Sequence, residues 1–147
     1  MSISAYMTTE HRACDEAFAS AEKAVIDKDF TNAQTLFVTF LDDTLRHFHK
    51  EESVLFPTFE NETGMREGPT QVMRFEHEQM RELFSRMKKA LDEEDQDSYL
   101  SIAESVMILI QQHNMKEEQM LYAMCDRTIP EATREETIGQ MEQLKDW

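Results

Sequence analysis

Residues 47–57 read HFHKEESVLFP, and residues 113–123 read HNMKEEQMLYA. Each stretch places a glutamate four residues after a histidine, in the same frame of lysine, paired glutamates, leucine and an aromatic residue. On a helix, residues i and i+4 lie on one face about a turn apart. The two stretches therefore predict two helices that each present a histidine and a glutamate side by side.

The duplication extends over the whole chain at a fixed offset. His77 lies 66 residues after His11, His113 lies 66 residues after His47, and each half separates its two histidines by 36 residues. Each half has the length of two helices joined by a loop. The sequence therefore predicts two helical hairpins related by an internal two-fold repeat.

The composition favours helices. Among 147 residues there are only three Gly and three Pro but eleven Met, with plentiful Glu, Ala, Leu and Gln, so helix formers dominate and turn residues are scarce. The length is that of one domain. We expect a single all-α domain over residues 1–147, an antiparallel up-down-up-down four-helix bundle, with a short helix in the tail at about 130–147 packing on it.

Polar segments at 27–31, 61–69 and 92–98 interrupt the apolar periodicity. The stretches between them predict four helices, over approximately 5–26, 32–59, 69–91 and 98–125.

Local signals refine these helices. Thr31 and Ser98 are candidate N-caps, and Pro57 is expected to bend or end the second helix because it removes one hydrogen bond. In the tail, apolar residues spaced three apart predict an amphipathic piece: Ile138, Met141, Leu144 and Trp147.

The formal net charge of −15, from 30 acidic and 15 basic residues, repels phosphate backbones and anionic lipids. We therefore expect no binding to nucleic acid or to a membrane. The start MSISAYMTTE lacks the basic and apolar regions of a signal peptide, which predicts a cytoplasmic protein. Cys14 and Cys125 are expected to be buried thiols without a redox role.

The four repeated histidines are predicted to lie at one level of the bundle. Residues equidistant from a tight turn face each other in antiparallel helices, and the midpoint of each neighbouring pair of histidines falls within a predicted loop. The two glutamates of the opening motifs lie one turn away on the same faces. Six side chains are thus expected to converge on the bundle axis: His11, His47, Glu51, His77, His113 and Glu117.

Such a cluster is costly to bury unless a cation satisfies it, because unpaired buried charge costs several kcal/mol per ion. Nitrogen and oxygen donors suit iron, manganese or zinc, and six protein ligands exceed what one tetrahedral zinc takes. Two metal ions, each with two histidines and sharing Glu51 and Glu117, fit the two-fold repeat. A single core histidine, taken alone, is more often hydrogen-bonded to a neighbour than a ligand.

Neighbouring polar residues are assigned lesser roles. His49 lies two residues beyond a candidate ligand, about 200° around the helix, and is expected at the periphery. Glu52 and Glu118 each follow a candidate ligand directly, and either solvent exposure or ligation is open for them. Two further residues are candidates for contacting the ligands from outside: Asp15 and Arg81.

Four motifs in this order resemble the hemerythrin-like, His-His-Glu cation-binding family: EHR at 10–12, HFHKEESVLFP at 47–57, FEHEQMRELF at 75–84 and HNMKEEQMLYA at 113–123. The resemblance covers about residues 5–125. It implies a four-helix bundle that holds two iron ions with a bridging oxygen. It also implies that the iron ligands are His11, His47, Glu51, His77, His113 and Glu117.

The chain departs from oxygen-carrying hemerythrins at two positions. Those proteins have a further ligand histidine where this chain has Arg81, and a ligand aspartate where it has Glu118. The remaining ligand set is symmetric, which predicts two equivalent irons and argues against reversible oxygen carriage. We expect a site that binds, reduces or senses O2, peroxide or NO.

Besides a reversible O2 binder, which the ligand set disfavours but does not exclude, two other functions remain open from the sequence. The first is an iron-responsive sensor or store without turnover, in which metal occupancy sets the stability of the bundle. The second is a metal-free interaction module whose acidic surface binds a basic partner.

Overall fold

The computed structural model of the protein describes residues 1–145, and no strand occurs among them. Two π-helical turns, π1 (Glu51–Leu55) and π2 (Glu117–Leu121), join successive helices without a break. The helices are α1 (Ile3–Ile26), α2 (Phe30–Lys50), α3 (Phe56–Thr63), α4 (Pro69–Asp92), α5 (Gln96–Lys116), α6 (Tyr122–Thr128) and α7 (Glu131–Glu142).

Four long rods make up the bundle. They are α1, the continuous α2–π1–α3, α4, and the continuous α5–π2–α6. The closest packing is within the hairpins, α1 on α2 and α4 on α5, while α1 also packs on α5 and α6, and α2 on α4. This arrangement confirms the predicted all-α bundle with its internal repeat.

The predicted tail helix is α7, which packs against π1 and α1. Ile138 and Met141 are buried and Leu144 is half-buried. Trp147, the last residue of the predicted apolar stripe, lies outside the described residues.

The two hairpin loops begin their second helices in the same way, but not with the predicted caps. Asp29 accepts a hydrogen bond from the Asn32 amide at 3.2 Å, and Asp95 accepts one from the Ser98 amide at 3.1 Å. These carboxylates satisfy helix-terminal N–H groups. The helices therefore start at Phe30 and Gln96, and the predictions of Thr31 and Ser98 as caps are wrong.

Pro57 does not end the second helix, which continues to Thr63. The Phe56 amide donates to the Glu51 carbonyl, five residues back, so the hydrogen-bond ladder is already offset before the proline. Pro57 then occupies the first turn of the new α-helical register, where a missing N–H costs least. The helix ends at Gly64, whose φ of 74° suits glycine.

Buried apolar residues form two cores, one on each side of the histidine level. The core toward the first and third loops contains Phe40 and Phe84, whose rings meet edge to face at 5.2 Å. The other contains Leu55, Phe59 and Leu121. Each large side chain buried there contributes about 1.5–3 kcal/mol, so together the cores can support a polar layer between them.

Cys125 is buried and Cys14 is half-buried, and both are free thiols. Burial raises the pKa of each thiol, so neither is an activated nucleophile. None of the helices within residues 1–145 is long and apolar enough to cross a membrane.

Candidate metal centre

The four repeated histidines meet between the two cores, each from a different rod. The rings of His11 and His47 lie 4.8 Å apart, and those of His77 and His113 lie 5.0 Å apart, between centroids. At most 3 % of any of these residues is exposed. Each hairpin thus contributes one histidine pair to a shared buried layer.

Glu51 and Glu117 are the first residues of the two π turns and are fully buried. Glu51 Oε1 lies 3.3 Å from His47 Nε2 and 3.2 Å from His77 Nε2. Glu117 Oε1 lies 3.0 Å from His11 Nε2 and 3.2 Å from His113 Nε2. Each carboxylate therefore touches one histidine of each hairpin, as a group shared between two metal positions would.

Tyr122 is a member of this cluster that sequence reasoning missed. Its hydroxyl donates to Glu51 Oε2 at 2.8 Å or to Glu117 Oε1 at 2.9 Å. It also lies 3.1 Å from His11 Nε2 and 3.4 Å from His47 Nε2. The phenol oxygen thus adjoins the first histidine pair and both shared carboxylates.

The π turn explains this placement. On an α-helix, a residue five positions after Glu117 points about 140° away from it. In a π-helical turn the hydrogen bonds run from i to i+5, which brings Tyr122 over Glu117. The same shift turns Met120, which a regular helix would place in the core, outward to 59 % exposure. Periodicity at 3.6 residues could not identify the tyrosine.

The other half has a phenylalanine at the equivalent position. Phe56 is buried and stacks against His77 at 5.8 Å between ring centroids, and Phe48 also stacks against His77, at 3.9 Å. The position equivalent to Phe48 is Asn114, which lines a cavity. The surroundings of the two histidine pairs are therefore not equivalent, contrary to the prediction.

Every histidine of the cluster is fixed from outside by a carboxylate on its Nδ1. Since a carboxylate only accepts, the imidazole donates from Nδ1 and directs Nε2 toward the centre. The pairs are His47 with Glu10 (2.9 Å), His113 with Glu76 (2.8 Å), His77 with Glu52 (2.7 Å) and His11 with Glu118 (2.7 Å).

These four contacts form a ring around the bundle. Glu10 and Glu76 bind a histidine within their own hairpin, whereas Glu52 and Glu118 reach across to the other hairpin. The choice left open for Glu52 and Glu118 is thereby resolved geometrically, since both contact a histidine rather than the centre. The sequence could have suggested Glu10 and Glu76, because each directly precedes a candidate histidine. The two glutamates also lie 66 residues apart, as the repeat requires.

Each outer carboxylate also has a cationic partner. Lys50 pairs with Glu10, Lys116 with Glu76, Arg81 with Glu52 and Arg12 with Glu118. Four positive groups thus balance the four outer carboxylates, while the inner pair carries two negative charges without a fixed partner of that kind. The centre is accordingly built to receive positive charge.

The pKa values reflect this demand. Burial lowers the pKa of His113, but the carboxylates of Glu117 and Glu76 outweigh it and raise that pKa to about 10. Burial alone would raise the pKa of Glu51, yet the neighbouring imidazoles hold it well below its usual range. Burial and the charges of Glu117 and Glu51 raise the pKa of Tyr122 well above normal. The shifts of His113 and Glu51 thus both favour positive charge at the centre.

Protons do not complete the site. Within residues 1–145, four buried atoms of the cluster make no aligned hydrogen bond, namely His77 Nε2, His113 Nε2, Glu51 Oε1 and Glu117 Oε2. The contacts of about 3.2 Å between these imidazoles and the carboxylates are close enough for ion pairing but poorly directed. Buried polar atoms without partners are costly, and a cation bound by lone pairs would satisfy all four.

Two groups of donor atoms each lie within 4.8 Å of one another: His11, His47 and Glu117, and Glu51, His77, His113 and Glu117. They comprise the six residues predicted from the sequence and share Glu117. A mixed imidazole and carboxylate set of this kind fits iron, manganese or zinc.

The remaining predicted residues lie outside the cluster. His49 is half-buried with its Nδ1 3.1 Å from the Ser53 hydroxyl, at the periphery. Arg81 acts on His77 through Glu52, donating to that carboxylate at 2.8 Å. Asp15 pairs with Arg12 at 3.9 Å.

A small cavity adjoins the first histidine pair and is lined by residues of α1, α2, α4 and α5. Cys14, Asp15 and Asn114 line it together with His11 and His47. Its volume is ≈ 20 Å³, which suffices for one water-sized molecule. The second histidine pair does not line this cavity.

Residues 2–125 match the family described as the hemerythrin HHE cation binding domain. Neither curated proteins nor solved structures gave a match to this chain. The matched range covers all four rods to within a few residues of their end, and it includes every residue of the cluster.

Proposed function

Because the chain belongs to the hemerythrin HHE cation-binding family, we propose that it is a non-haem di-iron protein that binds, reduces or senses O2, peroxide or NO. The proposed metal ligands are His11, His47, Glu51, His77, His113 and Glu117.

The observation that carries this proposal is the combination of outward and inward contacts at each histidine. Nδ1 is occupied by a carboxylate at 2.7–2.9 Å, which leaves the lone pair of Nε2 for a metal ion. Two of those Nε2 atoms and one oxygen of each inner glutamate have no aligned partner within the described chain. A purely structural histidine layer would not leave them so.

Iron held by such donors would supply redox electrons and open coordination positions for a small oxygen or nitrogen species. The residues of the chain provide the setting. Glu51 and Glu117 offset the positive charge from the centre, and the four outer carboxylates keep the imidazoles oriented. The two apolar cores exclude bulk water from the layer.

The cavity beside His11 and His47 supports small ligands rather than larger substrates. Its ≈ 20 Å³ admits a diatomic molecule or a peroxide but no organic substrate. Its lining combines the apolar side chains of Phe40 and Met80 with the polar side chains of Asp15 and Asn114. A small species in this cavity would therefore lie directly beside the centre.

An iron-responsive sensor or store is the second candidate function. It is favoured by the position of the proposed metal ligands, which are spread over both hairpins. The six side chains come from four different rods, so metal binding links both hairpins and its loss loosens the bundle as a whole. Occupancy would then control stability by mass action.

Metal analysis of the purified protein is the first test. We expect two iron ions per chain in the wild type and in His49→Ala, and fewer than one in His113→Ala. A chain that folds and binds no iron, manganese or zinc would overturn the proposal and favour the metal-free interaction module.

Stopped-flow mixing of the anaerobically reduced protein with O2, peroxide and NO separates the two metal-dependent candidates. Rapid oxidation or NO binding supports reactivity with small species. Iron loading that raises the midpoint of thermal unfolding, with no reaction on the seconds scale, identifies a sensor or store, and reversible O2 binding would contradict the expectation from the ligand set.

A further inference from the structure

The environment of Tyr122 singles out one half of the proposed di-iron centre. Its hydroxyl oxygen lies 2.8–3.4 Å from four other donor atoms, two imidazole nitrogens and two carboxylate oxygens. Two ligands at right angles on one metal, with bonds of about 2.1 Å, are roughly 3 Å apart. Tyr122 therefore stands where a fifth donor to one metal ion would stand.

We infer that the phenol oxygen of Tyr122 is a ligand of the metal ion held by His11 and His47, and of that ion only. The inference rests on the proposed di-iron function. Tyrosine is an established type of ligand for ferric iron in proteins. Coordination replaces the O–H bond by an O–metal bond and releases one proton to water.

Hydrogen bonding alone does not account for the position of this hydroxyl. It has one proton to donate, yet Glu51 Oε2 and Glu117 Oε1 both lie within 2.9 Å. Beside it lie His11 Nε2 and His47 Nε2. When Nδ1 of each neutral ring carries the proton, Nε2 presents a lone pair and cannot donate to the hydroxyl. A cation at the middle of these five donors removes the crowding of acceptors.

The second metal position has no such donor among the described residues. Phe56 occupies the place equivalent to Tyr122, and its ring packs on His77. This position would thus have two histidines and two glutamates, against two histidines, two glutamates and a tyrosine at the first. The two halves of the repeat carry different residues at two equivalent sites, Phe56 and Tyr122, and Phe48 and Asn114. Both differences make the surroundings of the first metal position the more polar.

Visible absorption and resonance Raman spectra of the ferric, iron-loaded protein test the inference. A coordinated tyrosinate gives a charge-transfer band in the visible region, with phenolate ring modes enhanced on excitation into it, whereas a phenol that only donates a hydrogen bond gives neither. We expect both signals in the wild type and their loss in Tyr122→Phe, which removes only the hydroxyl.

Tyr99→Phe is the matched control, because Tyr99 is equally buried but packs against Phe37 in the core away from the cluster. It should keep both signals at full intensity. Absence of the signals from the wild type, or their persistence in Tyr122→Phe, overturns the inference, and the wild-type spectrum alone decides if the variant fails to fold.

Metal content separates this result from the fate of the proposed function. Two irons per chain without a tyrosinate signal would leave the di-iron proposal standing and remove only the role of Tyr122. A chain that binds no iron would remove both.

Discussion

The two hairpins, residues 3–63 and 69–128, agree closely in some layers and differ in others. The inner histidines and glutamates and the outer carboxylates repeat at 66 residues, as do the π turns and the aspartate caps. The hairpins differ in the arginines that pair with the outer carboxylates. They also differ at Tyr122, whose equivalent in the first hairpin is Phe56. The donor set and its orientation are thus duplicated, while the surroundings make the two positions unlike.

Charged groups further out illustrate the difference. In the second hairpin Arg81 pairs with Glu78 and Glu52. In the first hairpin the acid and the arginine are exchanged, because Asp15 is equivalent to Arg81 and Arg12 to Glu78. There Arg12 pairs with Asp15 and Glu118. Each hairpin thus supplies one arginine to an outer carboxylate of the other hairpin, Arg81 to Glu52 and Arg12 to Glu118. The two arginines do not occupy equivalent positions of the repeat.

Removing metal should produce the largest effect, because the proposed ligands come from both hairpins. Each ion present at a hundredfold excess over its Kd stabilises the fold by about 2.7 kcal/mol, and a chain of this size shifts by about 2–4 °C per kcal/mol. Chelation is thus expected to lower the wild-type midpoint of thermal unfolding by about 10 °C or more. Differential scanning calorimetry with and without iron measures this.

The histidine variants turn that experiment into a comparison. His47→Ala and His113→Ala occupy equivalent places and should lose the metal-induced shift to the same extent, while His49→Ala should keep it. A large shift retained by only one of the two cluster variants would show that a single position binds the metal.

Raising the pH above about 6.5 should lower the stability of the metal-free protein and increase the additional stability that metal provides. The pKa of His113 is raised to about 10 in the folded chain, against about 6.5 when unfolded, so its contribution is complete below about pH 6.5 and is lost as the pH rises toward 10. The pKa values of Glu52 and Glu76 are lowered to about 2. Burial raises the pKa of Glu52, but hydrogen bonds from His77 and Arg81 outweigh it. In Glu76 the hydrogen bond from His113 is the largest cause of the lowered pKa. Their contributions are lost as the pH falls from about 4.5 toward 2.

The metal-free protein is therefore expected to be most stable between about pH 4.5 and 6.5. Metal ions compete with protons for the same nitrogen atoms, so stabilisation by metal should increase with pH. Urea unfolding at pH 6, 7 and 8, with chelator or with Mn²⁺, should give diverging midpoints. Parallel curves would mean that the cluster does not exchange protons for metal.

Neutralising an outer carboxylate should weaken metal binding by about 10–100-fold, because the hydrogen bond that orients the histidine is no longer charge-assisted. Glu10→Gln and Glu76→Gln retain the size of the side chain and remove its charge, and the repeat predicts equal losses for the two. Isothermal titration with metal measures the Kd. Glu104→Gln, on the exposed face of α5, should bind as the wild type does.

The repeat explains why so much of the centre could be predicted. Four histidines and two glutamates at one offset fix both the helix order and the common level of the donors, and neither inference needs atomic detail. The predicted rods differ from the observed ones mainly at their ends, because Asp29 and Asp95 cap earlier than the hydroxyl residues that follow them. A residue's propensity to cap does not determine which of several candidates in a polar loop does so.

The π turns and the roles of Glu52 and Glu118 could not be predicted from the helical periodicity of the sequence. A π turn adds one residue to the helix and rotates everything beyond it, so Tyr122 enters the centre and Met120 leaves the core. Glu52 and Glu118 remained open because an i+5 carboxylate is ambiguous on a regular helix. Only their contacts with the opposite hairpin decide their role.

The smallest effect should separate the two equivalent lysines. Lys50 is 3 % exposed and donates to the Tyr6 hydroxyl at 2.8 Å as well as to Glu10, whereas 45 % of the Lys116 side chain is exposed beside Glu76. Lys50→Met leaves buried acceptors unpaired and should lower the free energy of unfolding by about 1–2 kcal/mol. Lys116→Met should cost less than about 1 kcal/mol, because water can replace an exposed partner.

Urea unfolding of the metal-free variants measures this difference, with the exposed pair of Lys23 and Asp27 as reference. Lys23→Met should leave the midpoint unchanged. Equal losses from Lys50→Met and Lys116→Met would mean that burial does not distinguish these ion pairs. The divergence of the two hairpins would then be confined to the aromatic and cavity-lining positions beside the histidines.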